Sequence, residues 1–115
     1  MISINPNKFQ KDLNAGLLGL AVLGAVAASE TDVYGYDLAK RLRLDGDASP
    51  FQSGSIYPVL RNLCAAGWLA SRVVPSYAGP ARRYYRITDE GRATLATWRN
   101  TWQRTRDLVD RLLED

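Results

Sequence analysis

The stretch SGSIYPVLRNLCAAGWLA, residues 53–70, carries a beginning, a middle and an end. Ser53 and Ser55 are residues whose hydroxyls satisfy free backbone N–H groups at a helix start. Either one as the cap puts Pro58 within about the first turn and a half, where a missing N–H costs little. Val59, Leu60 and Leu63 then fall on an inward stripe, while Arg61 and Asn62 take the other side. Gly67 marks a left-handed ending, and Trp68 is placed to pack back on Leu63. The spacing predicts a short helix with one apolar face, one polar face and two marked ends.

Two short strands follow. WLASRVV, residues 68–74, alternates, with Leu69, Ser71 and Val73 on one face. RRYYRI, residues 82–87, sets Arg83, Tyr85 and Ile87 against Arg82, Tyr84 and Arg86. PSYAGPA between them is rich in turn residues, so the pair reads as a β-hairpin with a basic second strand. Thr88 caps a last helix, and Asp89 and Glu90 suit the positive end of its dipole. Leu95, Trp98, Trp102, Val109 and Leu112 then recur in a heptad seam, with Thr105 in the remaining position and Leu108 and Leu113 widening it.

Upstream, residues 1–7 read as disordered or extended, and a first helix is expected from about Lys8 to Ala28. Leu13, Leu17, Leu20 and Val26 are its expected core side. SETDV reads as a turn, and YGYDLAKRLRL as a second helix with Leu38, Ala39 and Leu42 on one face. Gly46 and Pro50 in DGDASP break that pattern. The order helix, helix, helix, strand, strand, helix describes a mostly α chain with a small β-hairpin. It is a winged helix-turn-helix unit over residues 1–88, followed by a C-terminal dimerisation helix over 89–115.

The chain has 115 residues, 46% hydrophobic and 23% charged, enough for one domain with its own core. It has no histidine and one cysteine, Cys64. This excludes a Cys/His zinc site and His-based acid–base chemistry, and no nucleophile–base pair or phosphate loop stands in their place. The expectation is no enzyme, no catalytic residue, no metal and no cofactor. A lone cysteine forms no internal disulfide and suits the cytoplasm. Cys64 itself reads as a small apolar residue, with nothing basic beside it in sequence. Residues 13–29 form an uncharged run of 17 with three glycines, read as a buried core helix and not as a membrane span.

The net charge is +3, and its distribution is uneven. Between Asp47 and Asp89 there is no acidic residue, while Arg61, Arg72, Arg82, Arg83 and Arg86 all lie there. That interval is the expected face toward a polyanion.

Three segments in this order resemble the PadR-like family of bacterial transcriptional regulators: YGYDLAKRL (34–42), SGSIYPVLRNLCAAGWL (53–69) and RRYYRITDEG (82–91). The resemblance spans roughly residues 16–113 and is to the compact branch with a single C-terminal helix. It implies a homodimeric winged-helix repressor on a pseudo-palindromic operator in double-stranded DNA. The recognition helices would enter successive major grooves, and the wings would reach the flanking minor groove or backbone. It also implies regulation, in some members, by a small aromatic or drug-like ligand. Many members carry an acidic residue where this chain has Cys64.

On this reading Ser53, Ser55, Tyr57, Arg61 and Asn62 face DNA from the third helix. The hydroxyls suit phosphate oxygens, and Arg and Asn suit base edges. Tyr57 has a second reading, packed into the core beside Ile56. Arg82 and Arg83 are phosphate or minor-groove candidates; alternation lets only one face DNA, while the resemblance favours both near the backbone. Tyr77 at the wing tip, and Lys40 with Arg41 on the second helix, are further candidates. Leu95, Trp98, Trp102, Val109 and Leu112 are expected at a dimer interface. There the indoles either pack or receive a planar aromatic molecule. The alternative function is a winged-helix protein-interaction module without DNA.

Overall fold

The computed structural model describes residues 6–44 and 56–114. Its elements are α1 (Pro6–Ala27), β1 (Val33–Tyr34), α2 (Gly35–Leu44), α3 (Ile56–Ala65), β2 (Leu69–Val74), β3 (Arg82–Ile87) and α4 (Asp89–Leu113). The strands form one antiparallel sheet in the order β1-β3-β2. This is the mostly helical winged architecture that the element order implies.

β1 takes Val33 from the expected turn and Tyr34 from the start of the expected second helix, which begins instead at Gly35. Val33 pairs with Tyr85 and Tyr34 with Tyr84, so β3 becomes the central strand. Two residues are too few to show alternation, and only the pairing to β3 makes them a strand. α1 begins at Pro6, two residues before the expected Lys8, with proline at the first helical position where its missing N–H is harmless.

The buried side of α1 also differs from expectation. Leu18, Val22, Leu23 and Val26 are buried, while Leu13 is 40% exposed and Leu17 and Leu20 are half-buried. Leucines and alanines surround this helix, so its own pattern leaves the core side open. The stripe that α2, α3 and the sheet cover fixes it. Val26 alone of the expected four is fully inside.

The remaining core is as the periodicity implies. Leu38, Ala39 and Leu42 come from α2, Ile56, Leu60 and Leu63 from α3, and Val33, Leu69, Tyr85 and Ile87 from the sheet. Val59 packs at its edge. Each fully buried aliphatic side chain contributes about 1.5–3 kcal/mol.

α3 ends as its sequence specifies. The Trp68 N–H bonds the Leu63 carbonyl and the Gly67 N–H bonds that of Cys64, both at 3.0 Å. Gly67 has φ +83°, a conformation that side chains other than glycine resist. The Trp68 ring meets Trp98 of α4 edge-on. Thr88 caps α4, accepting from the Gly91 N–H at 2.9 Å and donating to the carbonyls of Gly67 and Trp68. A Cβ on Gly91 would stand 2.1 Å from the Trp68 carbonyl oxygen. The start of α4 is thereby fastened to the end of α3.

Candidate nucleic-acid interface

The exposed side of α3 carries Tyr57, Arg61 and Asn62. Tyr57 is 42% exposed, so it is no core residue beside Ile56; it stands one turn before Arg61 on the outer side. Ser53 and Ser55 lie outside the described residues. Lys40 and Arg41 are exposed on α2, and Tyr77 is fully exposed in the loop between β2 and β3.

β3 stays regular from Arg82 to Ile87, so Arg82 and Arg83 leave it on opposite faces. Arg83 shares the inner face with Tyr85 and Ile87, the face that packs on the helices. Its Nη1 donates to Ser71 Oγ at 3.1 Å across the β2–β3 pair. Arg82 lies on the outer face, its guanidinium 5.2 Å from the centre of the Tyr34 ring. The structure therefore brings Arg83, and not Arg82, toward α3.

Tyr85 and Cys64 register the charges around this face. Burial pushes the Tyr85 phenol above the ordinary value of 10.0, and the Arg83 guanidinium pulls it back. Cys64 and Tyr57 add to the rise, and Arg61 opposes it. One buried hydroxyl thus feels both the cation on α3 and the cation on β3. Cys64 is half-buried in the same place, and burial raises its thiol above 9.0, against the Ser71 hydrogen bond and the Arg83 charge. It rests as a thiol. The basic neighbour that its flanking sequence lacks arrives from β3.

Sequence reasoning missed Ser71, which orients Arg83, and Tyr85, whose phenol both cations pull down against its burial. The alternation of β2 and β3 does put Ser71, Arg83 and Tyr85 on one face. Their meeting with α3 depends on how the sheet packs.

The expected interface residues of α4 divide in two. Leu95 is buried in the chain's own core. Trp98 is half-buried, with ring centroids 5.0 Å from Trp68, and its indole reaches Gly19 of α1. Trp102 is half-buried, and every residue from Gln103 to Glu114 is exposed. Leu108, Val109, Leu112 and Leu113 form an apolar stripe there, Leu112 being 73% exposed. On α1, Phe9 and Leu13 are exposed one turn apart.

Among the described residues no helix is long and apolar enough to cross a membrane, and no group of acidic or sulfur ligands could hold a metal ion.

The profile of the transcriptional regulator PadR-like family matches residues 22–97. Among solved structures, a PadR family transcriptional regulator from Eggerthella lenta is 33% identical, with a TM-score of 0.77. The match covers 93% of this chain and 90% of that one. A PadR-like transcriptional regulator from Bacillus cereus is 31% identical, covering 90% and 98%, with a TM-score of 0.73. A Streptococcus transcriptional regulator is 29% identical, covering 89% and 97%, with a TM-score of 0.72. No curated protein matches the chain. With the family profile over most of its core, and relatives of this likeness over nearly its whole length, the chain belongs to the PadR-like family of DNA-binding transcriptional regulators.

Proposed function

We propose that the chain is a homodimeric repressor, working in the cytoplasm, that reads a pseudo-palindromic duplex with the exposed side of α3 and grips its backbone with the wing. The observation that carries this is the exposure of Tyr57, Arg61 and Asn62 on the outer side of α3, next to a wing whose strand β3 holds Arg83 against Ser71. Arg61 and Asn62 suit guanine and adenine edges in the major groove, and Tyr57 suits a phosphate. Arg83, pre-oriented by Ser71, takes the phosphate beside the groove. Lys40 and Tyr77 extend the same contacts on either side, and Ser53 and Ser55 precede α3.

Dimerisation is the role of α4. Val109 and Leu112, with Leu108 and Leu113, form an apolar stripe that the chain itself leaves uncovered. A second copy with two-fold symmetry would cover it, and the same symmetry would match two half-sites. Trp102, half-buried where the stripe begins, is the indole best placed for a planar aromatic effector. Trp98 is already engaged by Trp68.

The test is a fluorescence-anisotropy titration of duplex DNA with the wild type and with Arg61→Ala, Arg83→Ala combined. The double variant should bind at least about tenfold more weakly at matched salt. Equal affinity would contradict the reading. For the effector, quenching of tryptophan fluorescence by planar aromatic compounds should be lost in Trp102→Ala.

A further inference from the structure

The hairpin leaves the core part-way along its length. Leu69, Tyr85 and Ile87 are buried at its base, while no residue from Ser71 to Tyr84 is buried. On the inward side Val73 is already 51% exposed. The β2–β3 ladder makes the outer half of the hairpin one body, but it does not fix its angle to the helices. β1 can do so, because it runs without a break into α2. Only two residue pairs join β1 to β3, against six between β2 and β3.

A side-chain tie reinforces that short junction on the outer face. Asp32, just before β1, accepts a 2.6 Å hydrogen bond from Arg72 Nε of β2, across the central strand. The Arg72 guanidinium lies over the Tyr84 ring of that strand, 5.3 Å from its centre. Tyr84 in turn faces Tyr34 of β1, with ring centroids 5.6 Å apart. Among the described residues this is the only ion pair that joins distant parts of the chain; the other two lie within single helices. The Asp32 side chain is 24% exposed, and a carboxylate so far withdrawn from water needs its partner. Charge alone gives no reason for it, since an acidic group beside the basic wing weakens the field that draws a polyanion.

We propose that Asp32 is a positioning residue for DNA binding: held to Arg72 over the Tyr84 ring, it fixes the angle at which the wing leaves the helices. A wing that samples other angles presents a binding-competent shape only part of the time, and apparent affinity falls by that fraction. The inference rests on the DNA reading given above. It requires no contact of Asp32 or Arg72 with DNA.

The experiment compares the wild type, Asp32→Ala, the exchanged pair Asp32→Arg with Arg72→Asp, and Arg61→Ala. Each is measured for affinity toward one duplex at fixed salt, and for amide hydrogen exchange along the sheet. By charge alone, Asp32→Ala should tighten binding. The tie predicts the reverse sign: binding about two- to fivefold weaker, the range for a partly exposed ion pair, with exchange in residues 72–74 and 82–84 faster by a similar factor. The exchanged pair keeps the net charge and remakes the tie in reverse, so both readouts should return toward the wild type. A variant that had merely misfolded would not be rescued in this way. If Asp32→Ala binds as tightly as the wild type or more tightly while Arg61→Ala weakens binding, the inference is overturned. Unchanged exchange in the hairpin of Asp32→Ala overturns it as well. If Arg61→Ala itself matches the wild type, the DNA reading of α3 fails, and this inference with it.

Discussion

Trp68, just past the end of α3, and Trp98, in the third turn of α4, meet edge to face with ring centroids 5.0 Å apart and planes at 86°. This pair, with the Thr88 bonds to Gly67 and Trp68, ties the helix proposed to dimerise to the helix proposed to read DNA. The start of α4 is therefore held against the turn that leads into the wing. Edge-to-face pairs of this kind add about 0.5–1.5 kcal/mol beyond the area they bury.

Trp98→Ala should destabilise the fold by about 3 kcal/mol, the low end for truncating a large aromatic, because the indole is only half-buried. Trp98→Phe should cost less than half of that, since a ring remains to meet Trp68. Urea unfolding followed by circular dichroism checks both. Equal stability of all three proteins would show that the pair holds nothing.

Gly91 and Gly67 are glycines for different reasons, and alanine should separate them. At Gly91 a Cβ would sit 2.1 Å from the Trp68 carbonyl oxygen, so α4 must move off the turn. Gly91→Ala should cost about 3 kcal/mol, the upper range for overpacking, and should also weaken DNA binding by tilting the wing. At Gly67 the strain is in the backbone, at φ +83°, and Gly67→Ala should cost about 1–2 kcal/mol. Thermal unfolding should rank the two in that order.

These positions show what was legible in the chain and what was not. The body and the C-terminal end of α3 could be read, because Pro58, the Leu60–Leu63 stripe and Gly67-Trp68 are local signals with local causes; its expected capping serines lie outside the described residues. The β3 alternation and the Thr88 cap were legible for the same reason. β1 was not, since Val33-Tyr34 is a strand only by virtue of its partner. The core side of α1 was not, since an apolar residue on every face leaves the choice to the elements that cover it. In the candidate interface, each cation could be named from the acid-free interval. Which of Arg82 and Arg83 joins α3 depended on the face of the sheet that packs inward.

The buried hydroxyl and thiol give the fold an alkaline limit. Burial raises Tyr85 above 10.0 and Cys64 above 9.0, so the unfolded chain releases these protons first as pH rises. The folded state then binds more protons than the unfolded one, and stability falls with increasing pH. The contribution is intact below about pH 9 and is lost as pH climbs through the raised values. Tyr85→Phe should flatten the later part of that decline, and Cys64→Ala the earlier part. Stability that holds constant or rises from pH 9 to 11 would contradict the sign.

Leu112 should decide the oligomeric state without touching the fold, because it is 73% exposed and its chain gives it no partner in the core. Leu112→Asp puts a charge into the proposed two-fold interface. Sedimentation should show a wild-type dimer and a variant monomer at micromolar concentration, with the same circular-dichroism spectrum for both, and the variant should melt lower because dimerisation no longer stabilises it. A wild-type monomer would remove α4 from the dimer account.

The central claim is that α3 and the wing form one surface for the phosphate backbone and base edges of duplex DNA. The most direct measurement is the affinity of the wild type for duplex DNA between about 50 and 200 mM salt. A dimer making about six to ten phosphate contacts should lose roughly 10³–10⁵ in affinity over that range. An affinity that stays flat across the same salt series would contradict the claim.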